Sequence, residues 1–176
     1  MDPTVPARLL AALRDVVDFP KPGIVFKDIT PLLGDPTTFA LAIDTFAARY
    51  RDRAIDRVVV VESRGFLFGA PLAYALGCGL ALVRKPGKLP AATHAESYDL
   101  EYGTDTLEIH TDALRPGDRV VVIDDVIATG GTLAATVRLV ERLHAEVVEI
   151  AALAELTFLG GRARLAPHAV HTLIQL

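Results

Sequence analysis

The chain has 176 residues, of which 51% are hydrophobic and 23% charged, so it is long enough for one domain with a sizeable core and is globular rather than disordered. Its formal net charge of −4 argues against a general nucleic-acid binder, because affinity for a phosphate backbone needs a basic face. The apolar runs are too short to cross a membrane, no signal peptide is visible, and the single cysteine, Cys78, cannot form an internal disulfide, so we expect a cytoplasmic protein.

The amino-terminal segment carries a helical pattern followed by helix breakers. Apolar residues recur at helical spacing from Thr4 to Asp18, which predicts an amphipathic helix capped by Thr4. The stretch Phe19-Pro-Lys-Pro-Gly23 ends this helix, because its prolines and glycine cannot continue it. Residues 24–33 are then predicted to be irregular or extended. We expect residues 1–35 to form a small hood over the main part of the domain.

Buried strands alternate with helices in the remainder, residues 36–176. Asp35 followed by Pro36 predicts a helix start, with Asp35 as the cap. Further helices are predicted at 66–76 and 134–144, and strands at 58–61, 80–83, 120–123, 147–153 and 170–174. This alternation predicts an α/β fold, a central and mostly parallel sheet with flanking helices and right-handed crossovers.

A long polar stretch interrupts the alternating pattern after the second predicted strand. Residues 84–97 contain two prolines and a glycine and are predicted to be a mobile loop, since loops of this length in compact domains are usually functional. Residues 98–102 and 106–110 are compatible with a short antiparallel pair around Gly103. The mobile region is therefore predicted to cover residues 84–103.

The most informative stretch is residues 120–132, Val-Val-Val-Ile-Asp-Asp-Val-Ile-Ala-Thr-Gly-Gly-Thr. Its pattern predicts a buried strand, a loop and a helix, with Asp124 and Asp125 at the carboxyl end of the strand, where open α/β sheets bind ligands. The small residues that follow lead into a helix amino terminus, which suits a phosphate. The stretch lacks the Gly-Lys-Ser/Thr of a Walker loop. It therefore predicts a site for a phosphorylated sugar, and it resembles the 5-phosphoribosyl-1-pyrophosphate (PRPP) motif of type I phosphoribosyltransferases.

Four further stretches narrow this resemblance. They are Phe19-Pro-Lys-Pro-Gly-Ile-Val-Phe-Lys-Asp-Ile29, Glu62-Ser-Arg-Gly-Phe-Leu-Phe-Gly69, Arg84-Lys-Pro-Gly-Lys-Leu-Pro90 and Ser97-Tyr-Asp-Leu-Glu-Tyr-Gly103. In this order, together with the PRPP motif, they are similar to the adenine phosphoribosyltransferase family, and residues 155–167 also resemble that family's carboxyl-terminal part. The resemblance implies a purine-salvage enzyme that converts adenine and PRPP into AMP and pyrophosphate.

The resemblance also implies which residues bind PRPP. The 5-phosphate would be bound by the loop residues Ala128, Thr129, Gly130, Gly131 and Thr132, and the ribose hydroxyls by Asp124 and Asp125. The pyrophosphate would be bound by a turn, in which a non-proline cis peptide is common, and by basic residues of the mobile loop: Glu62, Ser63, Arg84, Lys85 and Lys88. The plainer alternatives are a solvated charge pair and an ordinary basic surface loop.

The remaining motif residues are implied to act on adenine. The purine would stack between Phe26 and Val126, with the Val25 backbone at its edge and Lys27 and Arg64 in the same pocket. Glu101 would be the acid/base for the proton that leaves N9, because a carboxylate near N7 can stabilise the shifting charge, and Tyr102 would help to close the loop. A core role for Phe26 and a solvent-facing role for Glu101 are the plainer alternatives.

Cofactor and partners follow from the same resemblance. The five histidines show no metal-ligand spacing, so Mg²⁺ is expected to arrive bound to PRPP oxygens. The residue that matches Arg84 tends to reach a neighbouring subunit's site in the family, which implies a homodimer. Two other functions stay open: transfer to hypoxanthine, guanine, xanthine or orotate, and PRPP sensing by a regulator without catalysis.

Overall fold

The computed structural model describes residues 3–99 and 103–176. Its amino-terminal part contains two short helices and a hairpin: α1 (Thr4–Ala11), β1 (Arg14–Val17), β2 (Val25–Asp28) and α2 (Thr30–Gly34). The predicted first helix is therefore wrong beyond residue 11, and Thr4 is its first residue rather than its cap. The physical reason is long-range pairing, since β1 binds β2 in antiparallel register with Val16 opposite Phe26.

The rest of the chain alternates between strands and helices, as predicted. In chain order its elements are α3 (Pro36–Tyr50), β3 (Arg57–Val61), α4 (Gly65–Leu76), β4 (Gly79–Arg84), β5 (Thr93–Asp99), β6 (Thr104–His110), β7 (Arg119–Ile127), α5 (Gly131–Arg142), β8 (Glu146–Glu155), a 3₁₀ helix (Thr157–Leu159), α6 (Gly161–Arg164) and β9 (Val170–Gln175). The start of α3 confirms its predicted cap, because the Asp35 carboxylate accepts hydrogen bonds from the backbone N–H groups of Thr37 and Thr38.

Seven strands form the central sheet in the order β5-β6-β4-β3-β7-β8-β9. Strands β4, β3, β7, β8 and β9 are parallel, and the β5–β6 hairpin adds two antiparallel strands at one edge. Helices cover both faces, and β3 is buried on both of its sides: Val58 and Val60 belong to one apolar core, Val59 and Val61 to the other. This arrangement confirms the predicted mostly parallel α/β sheet with flanking helices.

Two boundaries differ from the predictions, and both affect the candidate site. The predicted loop 84–97 is a strand from Thr93 onward, because β5 pairs residue by residue with β6. Strand β7 continues to Ile127, so Asp124 lies within the strand, opposite Ala152 of β8. Within residues 3–99 and 103–176, no helix is long and apolar enough to span a membrane.

Candidate active site

The two adjacent aspartates lie near the carboxyl end of β7, at the centre of the sheet. Both residues are buried, with 9% of Asp124 and 4% of Asp125 exposed. The Asp125 carboxylate forms an ion pair with Arg64 at 2.7 Å, and the Asp125 backbone N–H donates to Asp124 Oδ1 at 2.8 Å. A turn and a strand that are distant in sequence thus bring one guanidinium and two carboxylates together.

Burial dominates the electrostatics of this aspartate pair. It raises the pKa of Asp124 well above its usual value, and the neighbouring charge of Asp125 raises it further. Burial also raises the pKa of Asp125, although the Arg64 guanidinium opposes this shift. Ionised carboxylates in such a place gain most from additional hydrogen-bond donors, and ribose hydroxyls are donors of this kind.

The segment between β7 and α5 forms the predicted phosphate loop. It lines a polar cavity of about 270 Å³, together with the aspartate pair and the turn after β3. Gly130 precedes α5 with a φ of +78°, a conformation that glycine adopts readily. The cavity lining includes every residue predicted to bind the phosphate and the ribose: Asp124, Asp125, Ala128, Thr129, Gly130, Gly131 and Thr132.

The turn after β3 lines the same polar cavity through Glu62 and Ser63, and the peptide bond between them is cis, as the resemblance implied. The Glu62 side chain is 7% exposed and accepts hydrogen bonds from Arg84 Nε at 2.8 Å and Lys88 Nζ at 2.6 Å. Burial pushes the pKa of Glu62 upward, but the bonds from Lys88 and Arg84 outweigh it, so the pKa lies below its usual value. Two of the predicted pyrophosphate ligands are thus held by a carboxylate.

Lys85 lines the polar cavity directly and forms an ion pair with Asp105 at 2.9 Å. The Tyr98 hydroxyl donates to Asp105 and accepts from the Thr132 hydroxyl at 3.3 Å. Tyr98 and Asp105 also line this cavity, although sequence reasoning assigned a role to neither. Tyr98 stands in one of the family-like stretches, which was a usable signal, whereas Asp105 lies in a polar strand with no motif of its own.

A second, mostly apolar cavity of about 690 Å³ lies between the hood and the sheet. All five residues predicted to contact adenine line it: Val25, Phe26, Lys27, Arg64 and Val126. Lys27 Nζ forms an ion pair with Asp15 at 2.6 Å, and the Arg64 guanidinium lies 5.9 Å from the centre of the Phe26 ring. A flat aromatic ligand therefore finds an aromatic wall on the hood and a cation beside it.

The same cavity is also lined by residues that sequence reasoning missed. They follow β8 in a segment that resembles the family but was assigned no role, and they are Leu156, Phe158 and Leu159. Phe158 is 76% exposed, which is unusual for a large apolar side chain and is consistent with a place at the edge of a binding cavity. No local pattern distinguishes these residues from ordinary core residues.

The two cavities share a wall formed by Arg64, Asp125 and Val126. A sugar held by the aspartates therefore lies next to the apolar cavity. The predicted acid/base residue Glu101 and the predicted loop-closing residue Tyr102 fall outside the described residues, so both assignments stay predictions.

Comparisons with known proteins agree with this geometry. Residues 33–169 match the family model of the phosphoribosyl transferase domain. An adenine phosphoribosyltransferase of Anaeromyxobacter sp. (strain Fw109-5) is 60% identical over 164 residues, 93% of each chain. The corresponding protein of Roseiflexus sp. (strain RS-1) is 61% identical over 163 residues, which are 93% of this chain and 95% of the relative.

Solved structures give the same result. The adenine phosphoribosyltransferase of Thermoanaerobacter pseudethanolicus superposes with a TM-score of 0.93 at 51% identity, covering 97% of this chain and 99% of its own. That of Saccharomyces cerevisiae, in complex with adenine and an imino-altritol bisphosphate, has a TM-score of 0.92 at 42% identity and covers 97% and 98%. The chain therefore belongs to the adenine phosphoribosyltransferase family of phosphoribosyl transferases.

Proposed function

We propose that the protein transfers the 5-phosphoribosyl group from PRPP to adenine, giving AMP and pyrophosphate. One observation carries this proposal: a polar cavity with a phosphate loop and two aspartates shares a wall with an apolar cavity that is large enough for a base. This arrangement fits a reaction that joins a phosphorylated sugar to a flat aromatic base. The relatives named above support adenine as that base, since the yeast enzyme was solved with it.

In the polar cavity, PRPP is held at its sugar and its 5-phosphate. Asp124 and Asp125 accept hydrogen bonds from the ribose hydroxyls, and residues 128–132 surround the 5-phosphate through backbone N–H groups and the hydroxyls of Thr129 and Thr132. The ion pair between Arg64 and Asp125 supports this assignment, because it fixes one carboxylate at the wall between sugar and base. Holding the sugar there positions C1 for attack by N9 of the base.

The departing pyrophosphate lies toward the turn at Glu62 and Ser63 and toward Lys85. Lys85 stabilises the negative charge that develops on the leaving group, since its ammonium lines the cavity. Arg84 and Lys88 lie on the same side of the site as Lys85, because both form ion pairs with Glu62. This grouping of charge favours the cleavage of the bond between C1 and pyrophosphate.

Adenine binds in the apolar cavity between Phe26 and Val126, with the Val25 backbone at its edge and Lys27 and Arg64 beside it. Glu101 accepts the proton that leaves N9 or stabilises the charge that shifts as it leaves, and Tyr102 closes over the ribose.

Acid–base groups typically contribute about 10²- to 10⁴-fold to the rate, so Glu101→Gln should lower single-turnover AMP formation within that range. Glu96→Gln is the matched control, because Glu96 pairs with Arg138. A wild-type single-turnover rate in Glu101→Gln would remove Glu101 from the mechanism.

Mg²⁺ enters with PRPP. The ion prefers oxygen ligands and retained waters, which suits binding through PRPP oxygens, and residues 3–99 and 103–176 contain no group of three His, Cys, Asp or Glu residues able to hold a metal. The ion would supply positive charge that offsets the negative charge of the pyrophosphate oxygens. Turnover should therefore stop after exhaustive chelation and return when Mg²⁺ is added.

The enzyme acts as a homodimer in the cytoplasm. Leu67 and Tyr74 of α4 are 43% and 90% exposed, and Leu80 and Leu82 of β4 are each 38% exposed. The strand register places these leucines on the α4 side of the sheet, since they lie opposite Val58 and Val60. An exposed apolar face of this kind fits a second copy of the chain. Light scattering of Tyr74→Glu against the wild type tests the assignment, and an unchanged dimer would contradict it.

One assay tests the proposed reaction against its rivals. The protein, PRPP and Mg²⁺ are incubated separately with adenine, hypoxanthine, guanine, xanthine and orotate, and the nucleotide products are identified. AMP should form fastest. Another nucleotide as the main product would replace adenine as the substrate, and PRPP binding without any product would favour a sensor.

A further inference from the structure

A short segment after β8 connects the two cavities. Residues 156–159 contribute Leu156, Phe158 and Leu159 to the wall of the apolar cavity. Two residues later, Gly161 lies against the phosphate loop. The segment 156–161, which we call the strut, thus contacts the base site at one end and the phosphate site at the other.

The contact at Gly161 is between backbones. A Cβ on Gly161 would collide with the carbonyl oxygen of Ala128 and would lie 2.9 Å from the backbone nitrogen of Gly130. The reverse holds as well, since a Cβ on Gly130 would lie 2.5 Å from the carbonyl oxygen of Gly161. Backbone atoms cannot rotate away as the end of a side chain can. Any side chain at residue 161 therefore displaces the phosphate loop or the strut.

Hydrogen bonds on both sides of Gly161 fix the strut to the sheet. Glu155, which is 4% exposed, accepts a bidentate pair of hydrogen bonds from Arg162, and Arg162 also donates to the Val170 carbonyl at 2.9 Å. The bonds from Arg162 lower the pKa of Glu155 below its usual value, so the pair is ionised at neutral pH. Before Gly161, the Thr157 backbone N–H and hydroxyl both donate to the Leu176 carbonyl. Because the strut is held on both sides of Gly161, we expect a methyl group at residue 161 to displace the phosphate loop.

We propose that Gly161 is a positioning residue for phosphoribosyl transfer, because the strut sets the distance between the 5-phosphate loop and the base site. The proposal rests on the function proposed above. Attack on C1 needs the reacting atoms about 3–3.5 Å apart. A single rigid element that touches both sites fixes the sugar relative to the base, and an added methyl group at residue 161 changes that distance without touching either substrate.

Gly161→Ala tests this directly, with Gly34→Ala as the matched control. Gly34 has no positive φ, and a methyl group added there would have no atom within 4 Å, so its substitution should leave all ligands unaffected. In Gly161→Ala, calorimetry should show at least a tenfold loss of affinity for PRPP and for AMP, and adenine affinity within twofold of the wild type. KM for PRPP should rise by a larger factor than the KM for adenine. Phe158→Ala, at the other end of the strut, should weaken adenine alone.

Each result decides the proposal. Wild-type PRPP and AMP affinity in Gly161→Ala overturns it, and so does an equal loss for all three ligands, which indicates general loosening. If Gly161→Ala does not fold, Arg162→Lys replaces it, because lysine keeps the charge but loses the bidentate bond to Glu155. That variant should lose about threefold or more in PRPP affinity and none in adenine affinity, and equality with the wild type for both contradicts the proposal. Absence of AMP formation by the wild type would instead reject the proposed function.

Discussion

A pair of buried carboxylates on β7 and the buried carboxylate of Glu149 on the neighbouring strand β8 have surroundings that shift their pKa values in opposite directions. Near the carboxyl end of β7, Asp124 and Asp125 lie side by side with one guanidinium, and burial raises both of their pKa values. In the amino-terminal half of β8, Glu149 is 3% exposed, and its pKa is lowered to about 2. Its carboxylate is bound by three side chains, Arg49, Tyr50 and Arg53.

The difference separates a carboxylate that stabilises the fold from a pair that we propose to bind the ribose of PRPP. Burial raises the pKa of Glu149 too, but the bonds from Arg49 and Tyr50 outweigh that effect. Asp124 has no comparable compensation, since the charge of Asp125 raises its pKa further and the effects of the Asp125 backbone N–H and Arg64 do not offset this rise. Strongly perturbed carboxylates of this second kind occur preferentially at functional sites.

Glu149→Gln should have the largest effect on stability and none on binding. The shift of its pKa from 4.5 to about 2 corresponds to about 3 kcal/mol at neutral pH. Denaturant unfolding measures this loss, while PRPP affinity should stay at the wild-type value. Glu146→Gln, on the same strand, is the control: its ion pair with Arg119 is exposed and should contribute less than about 1 kcal/mol. A loss of PRPP affinity in Glu149→Gln would contradict the purely structural role that we assign to Glu149.

Asp124→Asn should weaken PRPP binding without destabilising the fold, which is the reverse of the effect expected for Glu149→Gln. PRPP affinity should fall by roughly 10- to 100-fold, because hydrogen bonds to charged groups contribute about 1.5–3 kcal/mol. The ligand-free variant should unfold at a higher denaturant concentration at pH 7, because burial opposes the ionisation of Asp124 and asparagine has no proton to lose. Asp112→Asn, at an exposed aspartate, controls for the change in net charge. Lower stability together with unchanged PRPP binding would make Asp124 a structural residue.

The stability difference between variant and wild type should change with pH in opposite directions for Glu149→Gln and Asp124→Asn. Glu149 has a lowered folded-state pKa, so its stabilisation is complete above pH 4.5 and is lost as the pH falls toward 2. Asp124 has a raised pKa, so its cost is absent below pH 3.8 and grows as the pH rises above that value. Stability differences from the wild type, measured between pH 3 and pH 7, should therefore shrink with falling pH for both variants, from opposite sides of zero. Parallel curves would contradict these assignments.

Arg53→Met should show the smallest effect. Arg53 contacts Glu149 at 3.1 Å, but its side chain is 34% exposed, and Arg49 retains its bidentate bond in the variant. A loss of about 0.2–1 kcal/mol is expected from an ion pair of this exposure. Denaturant unfolding checks the value, and a loss comparable with that of Glu149→Gln would mean that Arg53, rather than Arg49, keeps the glutamate ionised.

Much of the polar half of the site could be predicted from the sequence because those residues are local, although Tyr98 and Asp105 were missed. Strand, aspartates, loop and helix start follow one another within residues 120–132, and the general behaviour of parallel sheets places them at the carboxyl edge. The role of the turn at residues 62–65 came instead from its resemblance to the family, which is also carried by a local stretch. The ion pairs of Glu62 with Arg84 and Lys88 were not predicted, because they depend on how the chain after β4 folds back.

The apolar half depends on contacts between distant segments. Leu156, Phe158 and Leu159 are ordinary apolar residues in the sequence, and only the folded chain places them in the wall of a cavity that hood residues also line. The hood itself shows the same limit: residues 14–17 satisfy a helical pattern, and their strand state is decided by pairing with residues 25–28. Strand β5 is polar along most of its length, so the sequence predicted an antiparallel pair only from residue 98 onward and missed the pairing of residues 93–97 with β6.

The shared wall of Arg64 and Asp125 has a thermodynamic consequence. A ligand that moves either side chain in one cavity changes the free energy of binding in the other, and binding free energies form a closed cycle. The factor by which PRPP changes the affinity for adenine must equal the factor by which adenine changes the affinity for PRPP. A titration of either ligand at saturating levels of an unreactive analogue of the other therefore gives the coupling for both.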